Sequence, residues 1–275
     1  MRSILKRFFY LIYFPASIVW RKLDGIASWK ETKWWIDHMP NGMFTPANYA
    51  SYAGWIQNQG MFSALFSIYL KAKNPNIVDF GCGMGNLAPV AYHFVRNGGK
   101  FLGIDTDAKS IEACQKTYTD LTNCHFYLTR DQNAWYPQEG AQKQNVEEID
   151  WPVAENTQHL LTAMSVFTHL QETDAIKYLN RIYAVLAPEG LAILSFAIQR
   201  NYVNPYNDIY NFKSQLTTGW YTSNPACPEC SIAVTHEALL KFLGDKFDIL
   251  AHIEGCVSGG KHPSMQDLFV LRKKG

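Results

Sequence analysis

The stretch Asn76-Ile77-Val78-Asp79-Phe80-Gly81-Cys82-Gly83-Met84-Gly85-Asn86 limits what this chain can fold into more than any other part of it. The short apolar run broken by an acid reads as a buried parallel strand. Glycines at alternate positions then let the backbone turn sharply into a helix beginning near Leu87. A helix N-terminus behind bare glycines presents unpaired N–H groups, so the polar end of a ligand can approach the main chain. The stretch is expected to be a nucleotide-handling loop.

The spacing narrows the ligand. A dinucleotide fingerprint, G-x-G-x-x-G, would place a third glycine where Asn86 stands, so NAD is disfavoured. A second strand is expected over Lys100-Phe101-Leu102-Gly103-Ile104-Asp105, about twenty residues past the glycines, where the Asp105 carboxylate can accept both ribose hydroxyls. Thr106 to Ser110 then starts a helix. Strand, glycine loop, helix, strand and acid together are more specific than any one of them. The run Val78 to Gly85 resembles the first motif of class I S-adenosylmethionine-dependent methyltransferases, in which the loop cradles the amino-acid end of the cofactor.

With 275 residues the chain can bury one sizeable core, and a net charge of +1 gives no sign of nucleic acid as a partner. The cysteines, Cys82, Cys114, Cys124, Cys227, Cys230 and Cys256, do not have the spacing of a small secreted disulfide framework, so a reducing, cytoplasmic setting fits. Cys227-Pro228-Glu229-Cys230 is a lone C-x-x-C. A zinc site there would need two further ligands such as Cys256, His252 or His262, and no metal is expected. Residues 1–23 carry Arg2, Lys6, Arg7, Arg21 and Lys22 around an uncharged aromatic run broken by Pro15. The run is too short to span a membrane, and no small-residue cleavage site follows it. It either lies on an anionic membrane surface or packs on the main domain or a partner chain.

Residues 1–73 are read as this segment plus a helical cover, with a helix from about Ser51 to Lys71, and residues 74–275 as the main domain. In the main domain, helices are expected over Leu87–Arg96, Ser110–Tyr118, Thr173–Leu186 and Glu237–Leu243. Strands are expected over Cys124–Leu128, His159–Met164, Leu191–Ala197, Phe247–His252 and Leu268–Leu271. The Trp135–Glu155 loop is long enough to be a lid or substrate loop. Pro188-Glu189-Gly190 reads as a turn and Gln199–Ser231 as an irregular insertion over the substrate.

From Asn76 to the C-terminus the chain resembles a bacterial group of class I methyltransferases associated with surface-polysaccharide and other glycan biosynthesis. The resemblance is carried by Trp135–Gly140, Ser165–Leu170, Tyr178–Gly190 and Gln266–Lys273. It departs from that group at Thr157-Gln158-His159, where an acid is common. The resemblance implies an α/β, Rossmann-like class I methyltransferase fold: a mostly parallel seven-stranded sheet, an antiparallel last strand beside the one before it, and helices on both faces. It also implies S-adenosyl-L-methionine as cofactor. Cofactor contacts are expected from Asp79, Gly81, Cys82, Gly83, Gly85, Asp105, Thr106 and Ser165. Asp131 either meets the adenine or is a solvated turn acid. Methylation of a sugar or glycan hydroxyl needs a base. His169 is the first candidate, either in that role or as a helix-start histidine with a structural hydrogen bond; Asp208, Glu229 and His262 are weaker. A methyltransferase for another small molecule or lipid, and a scaffold that keeps the fold without catalysis, are the alternatives. Asp105→Ala is expected to weaken cofactor binding with little loss of stability.

Overall fold

The computed structural model describes residues 25, 29–40, 52–130, 151–200, 211–256 and 266–275. The segment 1–23, Asp131, Asp208 and His262 lie outside these. The chain divides into two units, residues 1–39 and 40–275. In the first, residues 29–37 form a helix (α1), along which Trp34 meets Trp35 edge-on and stacks on His38 at 4.2 Å.

The second unit begins with α2 (Tyr52–Tyr69), β1 (Asn76–Phe80), α3 (Ala88–Val95), β2 (Lys100–Asp105), α4 (Ala108–Thr117) and β3 (Cys124–Leu128). It continues with β4 (Gln158–Ala163), α5 (Glu172–Val185), β5 (Leu186–Ile198), β6 (Ser214–Thr217), β7 (Trp220–Thr222) and β8 (Ile232–Val234). It ends with α6 (His236–Leu243), β9 (Phe247–Ile253) and β10 (Asp267–Lys273). Short 3-10 turns lie at Phe167–His169 and Pro228–Cys230.

β1 is central because apolar side chains point to both of its faces: Ile77, Val78 and Phe80 are all buried. It pairs in parallel with β2 and β4, with β3 beyond β2 and β5 beyond β4. β10 runs antiparallel between β5 and β9, as expected of the last strand. On the face carrying α5 and α6, Phe196, Phe269, Phe167, Phe242 and Trp220 interlock at centroid distances of 4.9–6.4 Å. Burying each such ring contributes about 1.5–3 kcal/mol.

Three expectations about this unit are corrected. Among the described residues the sheet has ten strands, not seven. Of the extra strands, β6 and β7 come from the stretch read as irregular and β8 lies just after it, pairing in parallel with Ala197 and Ile198 where β5 runs past its neighbours. Their runs are only three or four residues long, too short to show a period. Pro188-Glu189-Gly190 lies within β5 and not ahead of it. Gln158 pairs with Leu186 but Leu160 with Leu191, so the intervening residues bulge out, with Glu189 at φ 61°. The end of the long loop is core: Trp151 is buried, with its ring 4.6 Å from Phe80, and Val153 is buried nearby.

Candidate active site

The glycine loop leaves β1 at the carboxyl edge of the sheet and is held by its own neighbourhood. Gly81 and Cys82 N–H donate to the Ile104 carbonyl at 2.8 and 3.1 Å, and Gly85 N–H donates to the Cys82 carbonyl at 2.9 Å. Gly83 N–H donates to Asp105 Oδ2 at 2.7 Å. These groups, expected to await a ligand, are therefore satisfied inside the protein. The glycines are needed for different reasons. A Cβ on Gly81 would collide with Val166 Cγ2, and one on Gly85 would come within 2.5 Å of the buried Tyr118 ring, whose hydroxyl donates to the Gly85 carbonyl. Gly83, at φ 51°, faces open space, with nothing within 4 Å of a Cβ placed there. It is the glycine whose bare face a ligand can approach.

Asp105, at the end of β2, accepts from Gly83 N–H and, at 2.9 Å, from Asp107 N–H. Burial raises its pKa, and the backbone hydrogen bonds from Asp107, Gly83 and Thr106 oppose that rise. Its carboxylate therefore shapes the loop as well as facing the crevice. Removing it is therefore expected to lower stability as well as cofactor affinity. Asp79 lies beneath the loop, 3% exposed, and accepts from Thr162 Oγ1 at 2.6 Å. Burial pushes its pKa up to about 7; the Thr162 hydrogen bond opposes this and the Asp105 charge adds to it. The Cys82 thiol turns away from the crevice. A hydrogen bond with Cys114, then burial, holds it well above the usual thiol range, and a Cβ on Gly103 would lie 2.9 Å from its sulfur. The Cys82 side chain is thus buried beside Cys114 and Gly103. Asn86, where a dinucleotide glycine would stand, ties down α2: it accepts from Trp55 Nε1 at 2.8 Å and, through its carbonyl, from Gln59 Nε2 at 2.9 Å.

At the end of β4 the chain takes a strained turn. Ser165 has φ 57° and is exposed, a conformation that costs a residue with a side chain about 1–2 kcal/mol. Its N–H donates to Ser195 Oγ at 2.7 Å, Ser195 Oγ–H donates to Gln266 Oε1 at 2.6 Å, and Gln266 Nε2 donates to Ser165 Oγ at 2.9 Å. This closed ring of bonds fixes the turn and sets Val166 against Gly81. One turn later His169 Nδ1–H donates to the Glu229 carbonyl at 2.8 Å, because a carbonyl can only accept, so Nε2 carries the lone pair. Burial lowers the His169 pKa, against a contrary effect of that hydrogen bond, and keeps the ring neutral near pH 7.

A methyltransferase-domain family model matches residues 55–225, more than half of the chain. The chain belongs to this family of methyltransferase domains. Its fold is similar to that of the PH0226 protein from Pyrococcus horikoshii OT3, with TM-score 0.55 and 11% identity over 81% of this chain and 92% of that one. It is also similar to the mitomycin 7-O-methyltransferase MmcR, with TM-score 0.52 and 12% identity over 79% of this chain and 53% of that one. The pyocyanin biosynthetic protein PhzM gives TM-score 0.51 and 12% identity over 79% and 56%. Identities this low establish a shared fold.

The methyltransferase uses S-adenosyl-L-methionine. The residues present fit that group: an open glycine face at Gly83, a carboxylate at Asp105 with lone pairs beyond its two loop bonds, and a buried acid at Asp79. No helix among the described residues is long and apolar enough to cross a membrane. None of them group into three or more His, Cys, Asp or Glu side chains able to hold a metal.

Sequence reasoning missed several residues of this methyltransferase edge. Ser195 sits inside β5, and Gln266, although it heads a run that carries the family resemblance, had no role assigned to it. The fully buried Asp267 accepts from His252 Nε2 at 2.7 Å and from Gly255 N–H at 2.9 Å, with Arg200 Nη2 at 3.5 Å. His252, weighed only as a metal ligand, is instead part of an imidazole–carboxylate pair, its ring stacked on Phe269 at 4.2 Å. Only Thr162 carried a signal, a polar residue inside an apolar strand.

Proposed function

We propose that the enzyme transfers a methyl group to a hydroxyl of a sugar or glycan, with His169 as the base. The observation that carries this reading is the neutral imidazole at the end of β4, fixed in one tautomer by the Glu229 carbonyl. The bound cofactor supplies a sulfonium-activated methyl group. With the cofactor bound, Gly83 would give way to its amino-acid end, Asp79 would offset its ammonium, Asp105 would accept from the ribose with Thr106 beside it, and Ser165 would add a contact; Asp131, outside the described residues, either meets the adenine or is a solvated turn acid. A neutral alcohol is a poor nucleophile, so His169 Nε2 would take its proton as the oxygen–carbon bond forms and the carbon–sulfur bond breaks. The sugar class rests on the resemblance to glycan-associated methyltransferases. A smaller hydroxyl-bearing acceptor is the second reading, favoured by the fold shared with the mitomycin 7-O-methyltransferase.

Labelled methyl from S-adenosylmethionine, supplied with an extract of the source cell and fractionated into glycan, lipid, small molecule, protein and nucleic acid, separates the two. Label in the glycan fraction that disappears with Gly83→Arg is the expected result. Label only in the small-molecule fraction would replace the sugar with the second acceptor class.

A further inference from the structure

The C-x-x-C has no part in the methyl-transfer reading, yet its geometry is well defined. Cys227 to Cys230 wrap one 3-10 turn, closed by a hydrogen bond from Cys230 N–H to the Cys227 carbonyl at 3.0 Å, with Pro228 fixing the second position. Such a turn brings residues three apart onto the same side, within about 7 Å between Cα atoms, where a disulfide can close once the turn tightens. Both thiols are partly exposed and unbridged, unlike the buried Cys82, Cys114 and Cys124. The turn is also braced: Thr222 Oγ1 donates to the Pro228 carbonyl at 3.0 Å, and Gln171 Nε2 donates to the Glu229 carboxylate. The carbonyl that orients His169 belongs to Glu229, between the two cysteines.

We propose that Cys227 and Cys230 form a redox-active dithiol, oxidised by low-molecular-weight disulfides, whose state sets the position of the His169 imidazole. The two thiols are not equivalent. Desolvation and a hydrogen bond with Cys227 push Cys230 up to about 11, so Cys230 keeps its proton and Cys227 is the first to attack. The Cys227 thiolate attacks the small disulfide, forming a mixed disulfide and expelling one thiolate. Cys230 then loses its proton and attacks the Cys227 sulfur, expelling the second. The protein gives up two electrons and two protons, and the small disulfide becomes two thiols. Closing the S–S bond tightens the turn and moves the Glu229 carbonyl. The dithiol chemistry stands independently of the function proposed above; its effect on catalysis rests on His169 acting as the base.

The test treats the reduced full chain with oxidised glutathione and maps the products by peptide mass. The wild type is expected to lose two thiols, with a Cys227–Cys230 disulfide and no retained glutathione. Cys230→Ser should trap glutathione on Cys227, and Cys227→Ser should react about tenfold more slowly at the remaining turn thiol. S-adenosylhomocysteine affinity should be unchanged by oxidation, while methyl-transfer kcat falls about tenfold and recovers with dithiothreitol. A wild-type mixed disulfide that never resolves, or zinc retained by the purified chain through these two thiols, would overturn the dithiol. A disulfide that forms with kcat unchanged would leave the dithiol in place and overturn its coupling to His169.

Discussion

The two halves of the sheet are held together in opposite ways. From β1 to β3 the site is stitched by near neighbours: Gly83 reaches Asp105 across 22 residues and Tyr118 reaches Gly85 across 33. From β4 to β10 the bonds are long-range, with His169 to Glu229 spanning 60 residues, Ser195 to Gln266 spanning 71 and Ser165 to Gln266 spanning 101. The near half repeats a local motif. The far half exists only once distant strands have docked, which leaves its composition freer to vary with the acceptor. Asp79, bonded to Thr162 across 83 residues, is the joint between them.

Substitutions that act on one half and not the other probe this contrast. The largest effect is expected at Gly85, where alanine forces both a left-handed residue and a clash with the Tyr118 ring, costing about 4 kcal/mol. Gly83→Ala meets open space, so it should cost only about 1–2 kcal/mol while still weakening S-adenosylhomocysteine binding. Urea denaturation beside calorimetric titration separates the two, and equal destabilisation would erase the distinction between a packing glycine and a ligand-facing one.

At the joint, the sign of the effect reverses. The pKa of Asp79 rises from an ordinary 3.8 to about 7 on folding, so the folded state keeps a proton that the unfolded state loses between those values. The group's contribution is fully present below about pH 4 and is lost as pH rises through about 7, a cost of about 4 kcal/mol above that pH. Asp79→Asn should therefore match the wild type only below about pH 4, exceed it in stability at pH 8, and bind the cofactor less well. If the stability gap does not change with pH, Asp79 does not titrate as described.

In the far half, His169→Gln should lower kcat about 100-fold, or about 2.7 kcal/mol, with S-adenosylhomocysteine affinity unchanged. Because burial holds the His169 pKa below its ordinary value, wild-type activity should fall only on the acid side of neutrality. Should His252→Gln produce the larger loss, the His252–Asp267 pair would be the base. Back in the near half, a further change is expected at Asp105, where alanine removes charged hydrogen bonds to Gly83 and Asp107. Stability should fall by about 2 kcal/mol and cofactor affinity at least tenfold. Unchanged stability would mean the loop holds its shape without that carboxylate.

The sequence by itself determined the near half almost residue for residue. β2 and β3 begin and end where periodicity placed them, and the glycines, Asp79 and Asp105 fall around one loop, because each depends on partners a few tens of residues away whose types constrain one another. It did not show that the loop N–H groups are already paired, that the Cys82 thiol turns inward, or that Asn86 anchors α2, since side-chain direction depends on what packs behind it. The sequence was weaker still in the far half. Ser195 and Asp267 look like ordinary strand residues, and Gln266 like the residue before one, until β10 slides antiparallel beside β5, and the β6 to β8 ribbon is too short for a period. The tertiary structure alone decided which of these polar groups meet. A buried hydrogen-bonded ring or ion pair is specified by the register of strands far apart in the chain, and no local spacing encodes that register.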